Sequence, residues 1–169
     1  MKYSLLILAI CSTFSLCSAQ TETKIEYHAD NTVRLNGNTI HAGTSYDELV
    51  GMLGEPIIYK EYPTGKTTYH FKDRGVALST VNGKLLRLGV NYNWDGDKNF
   101  PESTFDGLLT IGSTTINKHT TSSIIEQLSD LKIKCIIPDM CMNNPKTVNN
   151  PIMLGFQNEM ITQVSIEFH

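Results

Sequence analysis

The densest run of potential cation ligands in the chain is Asp95-Gly96-Asp97-Lys98-Asn99, with Asp106 twelfth counting from Asp95. Calcium loops of the helix–loop–helix kind place oxygens at about these spacings, because a hard cation takes several of them at once. Here Phe100 stands where such a loop needs glycine for its sharp turn, Pro101 follows it, and position twelve is Asp rather than Glu. The flanks read as strands rather than helices. The segment therefore reads as a solvated connection. The histidines at 28, 41, 70, 119 and 169 show no ligand spacing. No nucleophile elbow and no phosphate-cradling glycine loop is present. The carboxylates of Asp47-Glu48 are explained by a helix N-terminus, where the macrodipole favours negative charge. These absences lead to the expectation of a protein without cofactor, metal or enzymatic role.

Two cysteines carry the remaining chemistry. Cys11 and Cys17 fall in an N-terminal stretch that reads as an export signal over residues 1–19. Lys2 supplies its positive start, Leu5–Ile10 its apolar core, and Cys17-Ser18-Ala19 its cleavage site. That apolar run is shorter than the roughly 20 residues a membrane-spanning helix needs. Cys135 and Cys141 remain as an even pair in an oxidising space, either the bacterial periplasm or the exterior. Antiparallel pairing centred on residue 138 sets them directly opposite each other, so a disulfide across a tight hairpin is predicted. A zinc site would need two more ligands nearby. Loss of residues 1–19 removes Lys2 and leaves 13 basic against 17 acidic residues, 13 − 17 = −4. Nucleic-acid and anionic-membrane surfaces want clustered Lys and Arg instead.

The elements that position these residues come twice. Adding 76 turns Val33, Leu35, Thr39, Ile40 and Thr44 into Leu109, Ile111, Thr115, Ile116 and Thr120. The same offset turns Val76, Leu78, Asn82, Leu85, Leu88, Val90 and Tyr92 into Ile152, Leu154, Asn158, Ile161, Val164, Ile166 and Phe168. An internal duplication follows. Each copy reads as a hairpin, a helix and a four-stranded meander. Asn36-Gly37 turns the first hairpin. Thr44 or Ser45, with Asp47 or Glu48 three residues on, can form a capping box for a helix whose stripe is Tyr46, Leu49, Val50 and Leu53. The second helix is predicted over Ser122–Leu131. The fold class expected is α+β, two tandem units of one helix packed on an antiparallel sheet. The units span 20–98 and 99–169 and form one globule. Thr162-Gln163 interrupts the last strand's alternation and predicts a bulge there.

The run Thr39-Ile-His-Ala-Gly-Thr-Ser-Tyr-Asp-Glu-Leu-Val-Gly-Met-Leu-Gly-Glu-Pro56, followed by Tyr69-His-Phe-Lys-Asp-Arg-Gly75 and a meander, is similar to two groups. One is the small lipoproteins of the outer-membrane barrel-assembly machinery. The other is the tandem-repeat β-lactamase inhibitor proteins, whose two units grip a partner. With Phe105-x-Gly-x-Leu-x-Ile111 included, the pattern resembles more closely an uncharacterised family of small exported bacterial proteins associated with toxin–immunity neighbourhoods. The resemblance implies binding of another protein, in an inhibitor or immunity role, or else an accessory role in envelope assembly. It departs from the lipoproteins by having no lipobox, and from both named groups by the hairpin before each helix.

Trp94 is the chain's single tryptophan. As core it would pack the seam between the units. As contact it would be an interface anchor. The expected partner surface is the connection that holds Tyr92, Trp94, Asp95, Asp97 and Phe100, on the sheet side of the paired units.

Overall fold

The computed structural model describes residues 22–169, and the predicted export signal lies outside the described residues. The chain runs β1 (Lys24–Tyr27), β2 (Val33–Leu35), β3 (Asn38–Ile40), α1 (Tyr46–Leu53), β4 (Ile57–Glu61), β5 (Lys66–Phe71), β6 (Val76–Val81) and β7 (Lys84–Asn91). It continues with β8 (Leu108–Ile111), β9 (Thr114–Ile116), α2 (Ile124–Gln127), β10 (Lys134–Ile137), β11 (Met140–Met142), β12 (Ile152–Gln157) and β13 (Met160–Glu167). The offset of 76 is visible in the bounds of β6 and β12, and of β7 and β13 (152 − 76 = 76; 160 − 84 = 76).

The α+β class is overturned. The protein is mostly β, built as one eight-stranded and one five-stranded sheet, and the described residues hold only two short α-helices. The meanders are not two separate helix-covered sheets. Their last strands, β7 and β13, pair antiparallel and merge them into the order β10-β11-β12-β13-β7-β6-β5-β4. Gly89 pairs with Ser165, its own counterpart (165 − 89 = 76), so a local pseudo-twofold passes through that pair. The two hairpins join a second sheet, β3-β2-β1-β8-β9, with β1 antiparallel to β2 and parallel to β8.

Local chemistry explains why the helices differ. Ser45 accepts from the Glu48 amide at 3.3 Å while the Glu48 carboxylate accepts from the Ser45 amide at 2.7 Å, and α1 runs eight residues. At the matching place the Thr121 and Ser123 hydroxyls bond each other at 2.8 Å, no side chain caps the helix, and α2 stops after four residues. The predicted helix over Ser122–Leu131 is therefore corrected to one α-turn and a short 3-10 turn at Ser129–Leu131.

One face of the large sheet is apolar across the seam. Phe71, Val76, Val90, Val164, Leu154, Cys141 and Cys135 stand side by side on seven consecutive strands. A parallel row holds Tyr69, Leu78, Leu88, Ile166 and Ile152. Apart from the exposed Cys135, these rows share one core with Ile25, Tyr27, Val33 and Leu35 from the small sheet, and with Leu49 and Leu53 from α1. The opposite face is mixed: Ile57, His70, Ala77, Gly89, Ser165, Met153, Met142 and Lys134 span all eight strands. The predicted bulge is present. Gly155 pairs with Gln163 and Phe156 with Ile161, which leaves Thr162 extra.

Candidate functional site: a groove beside an open sheet edge

The connection between β7 and β8 folds back over the face of the first meander that carries His70, Ala77 and Gly89. Its ends are pinned by hydrogen bonds. Asn91 Nδ2 donates to the carbonyls of Glu102 and Ser103, at 3.3 and 2.9 Å, and Thr104 Oγ1 donates to the Tyr92 carbonyl at 3.1 Å. Asn93 Nδ2 donates to the carbonyls of Ile161 and Lys118, at 2.7 and 2.8 Å. Between these anchors the Phe100 ring lies on Gly89. A Cβ on residue 89 would sit 2.6 Å from Phe100 Cε1, so glycine is what lets the ring approach the sheet. The Arg87 guanidinium lies 5.4 Å from the ring centroid, within cation–π range.

This arrangement divides the five residues expected at a partner surface. Tyr92 is buried, donates its hydroxyl to the Ile116 carbonyl at 3.0 Å and meets Phe105 edge-on at 5.9 Å. Burial also raises the pKa of its phenol. Phe100 is buried as well. Asp95 and Asp97 hold the loop's own backbone, accepting from the Asp97 amide at 3.0 Å and the Asn99 amide at 2.8 Å. Both carboxylates therefore spend hydrogen-bonding capacity on turn geometry. No group of three or more ligating side chains that could hold a metal occurs among the described residues. Trp94 is 43% exposed. It does not fill the seam between the halves.

Trp94 instead faces a groove of about 520 Å³, a volume within the range of roughly 300–1,000 Å³ typical of ligand sites. It is lined by Ile57, Ile58 and Tyr59 of β4 and, from the connection, by Trp94, Lys98 and Phe100 to Ser103. His70 and Lys72 also line it. The Tyr59 ring stacks on the His70 ring, with centroids 4.3 Å apart and planes 7° from parallel. His70 is 4% exposed, and its Nε2 has no hydrogen-bond partner. Burial lowers the pKa of this imidazole, opposed by the Asn99 carbonyl, so it is neutral near pH 7.

Strand β4 is also the end of the large sheet. All five of its residues are exposed, Ile58 at 59%. Its outer backbone groups meet no strand among the described residues, which makes it a template for a further one. The other end, β10, exposes Ile136 and Ile137. There the Cys135–Cys141 disulfide is formed, S–S 2.03 Å, between residues directly opposite on β10 and β11. Ile57, Ile58 and His70 were not singled out from the sequence as site residues. Their signal was the unbroken apolar run Ile57-Ile58-Tyr59 on a strand whose meander order makes it an edge.

Among the described residues no helix is long and apolar enough to cross a membrane. Residues 24–126 match the model of a family described as a domain of unknown function (DUF7738). No curated protein and no solved structure matches the chain.

Proposed function

The chain belongs to the DUF7738 family, a membership that brings no activity with it, and from its own surface we propose that it is an exported, non-enzymatic protein-binding module of the inhibitor or immunity type. The observation that carries this reading is the open edge strand β4 flanked by a groove with an exposed tryptophan. An unpaired edge can accept an extended segment through main-chain hydrogen bonds, and a neighbouring pocket can select its side chains. Trp94 has the character of an anchor, since tryptophan is over-represented among residues that dominate interface energies. The disulfide fits an oxidising compartment, the periplasm or the exterior.

The test is positional. A photo-crosslinking amino acid is placed at Ile58 in the exported protein, in cells that make it, with the exposed α1 position Asp47 as control. The expected result is a protein adduct at 58 and none at 47. With that partner purified, Trp94→Ala weakens binding by about 2 kcal/mol, the hot-spot range, while the melting temperature stays put. Adducts confined to position 47, or to neither, would remove the groove from consideration.

A further inference from the structure

The groove also has a charge character, and it differs from that of the whole chain. The protein carries a formal net charge of −3, yet the groove's rim holds Lys72 and Lys98 against a single carboxylate, Glu102. The salt bridges of the described residues are Lys24–Glu26 and Glu167–His169, so neither groove lysine is paired. Lys60 and Lys66 stand nearby over the Tyr62 ring, at 4.7 and 5.4 Å from its centroid. Under the rim, the buried Nε2 of His70 is unpartnered. A buried polar atom left without a partner is costly, and a ligand group can satisfy it.

We propose that the groove takes an extended polypeptide segment which adds as a further strand to β4 and presents acidic and apolar side chains at alternate positions. The inference rests on the protein-binding reading above and names the partner's chemistry. Strand geometry supplies the alternation, because residues two apart share one face of a sheet. On the groove face of β4, Ile57 and the Tyr59–His70 stack receive an apolar side chain. Lys72 and Lys98 meet the carboxylates of its neighbours on that face. His70 Nε2 gives or takes a hydrogen bond with a polar atom of the segment. Opposite charge at the rim raises the association rate and rejects basic segments. The β10 strand at the other edge carries one lysine, Lys134.

Because Trp94 is the only tryptophan, the emission of the full exported chain reports on the groove directly. The probe is an end-blocked heptapeptide of threonines with Glu, Leu and Glu at its second, fourth and sixth positions. A twin carries Lys, Leu and Lys, and a third peptide is the acidic one with alternate backbone amides methylated. The acidic peptide should shift Trp94 emission to shorter wavelength, saturate, and weaken with added salt. The basic twin should bind at least about tenfold more weakly, and the methylated peptide should not bind. Lys72→Glu with Lys98→Glu should invert the ranking of the first two. No saturating change up to about 1 mM acidic peptide, the weak end of specific affinity, would overturn the proposal. Equal binding of the two twins would overturn it as well. In either case an adduct at Ile58 would leave the protein-binding reading standing, whereas its absence would remove that reading independently.

Discussion

The two ends of the large sheet close meanders of matching strand order and are finished in different ways. Each edge strand carries a register break, between Ile58 and Lys60 in β4 and between Cys135 and Ile137 in β10. Such bulges bend an edge and discourage indiscriminate pairing. Each edge also exposes isoleucines. Beyond that the ends part. Ile58 opposite Tyr69 in the first meander stands where Cys135 stands opposite Cys141 in the second, since Tyr69 pairs with Leu78 and Cys141 with Leu154 (154 − 78 = 76), and the second edge is clipped covalently. The first edge keeps a six-residue inner strand, β5, against three residues in β11, and gains the connection that builds the groove. One edge is thus closed covalently and the other is left open.

The comparison breaks most visibly in the core if the halves are separate domains. Leu78 and Leu154 are counterparts (154 − 78 = 76), each fully buried. Replacing either with Ala should cost about 2–5 kcal/mol, the transfer term plus the cavity left behind. Because both lie in one core, each variant should lower a single cooperative transition followed by denaturant with an unchanged slope. A second, earlier transition for Leu154→Ala alone would show that the closed half unfolds by itself.

A smaller effect is expected at the closed edge. Replacing Cys135 and Cys141 together with Ala removes a constraint on the unfolded chain worth about 2 kcal/mol for so short a loop. Alanine avoids burying a hydroxyl at position 141, which is fully buried. Hydrogen exchange should speed up in β10 and β11 and leave β4 and β5 as they were, since local opening follows local contacts. Equal loss of protection at both edges would mean that the clip stabilises the whole sheet rather than its own end.

Much of this asymmetry was hidden in the sequence although its ingredients were legible. The strands could be read because their turns carry turn chemistry: Asn36-Gly37 and Asn82-Gly83 both adopt the positive φ that such hairpins require. The cysteines' register followed from counting outward from residue 138, and the bulge at Thr162 from a slip in alternation. The α+β class failed because helical spacing at Ile124, Ile125, Leu128 and Leu131 promised a helix without its cap. It failed also because periodicity says nothing of which strands meet across a seam, so β7–β13 and β1–β8 could not be foreseen. At the site, aromatic type marked Tyr92, Trp94 and Phe100 alike. Only the pinning of Asn91 and Asn93 decides which rings turn inward. His70 was set aside with the other histidines because one histidine on a strand has no spacing to betray it.

The smallest effect tests whether the open edge alone is acid-sensitive. Burial lowers the His70 pKa from the ordinary histidine value of about 6.5, helped by Lys72 and Arg87 and opposed by the Asn99 carbonyl. The unfolded chain therefore binds more protons than the folded one as pH falls from about 6.5 toward the lowered value, and stability drops in that interval. The contribution is fully present above pH 6.5 and is lost as pH falls through the folded pKa. Melting temperatures between pH 7 and pH 5 should decline in the parent protein and decline less in His70→Gln, which keeps a polar group but cannot titrate. The carboxylates of Glu26, Asp30 and Glu48 have lowered pKa values and act only below the carboxylate range, in a separate window. At the closed edge the residue in the place of His70 is Met142, which pairs with Met153 as His70 pairs with Ala77 (153 − 77 = 76), and methionine does not titrate. In the parent, Trp94 emission should begin to shift in the same pH interval, because protonation of His70 unsettles the Tyr59 stack beside it. An unchanged slope in His70→Gln would assign the acid response elsewhere, and the two edges would then differ in their shape and covalent closure but not in their response to acid.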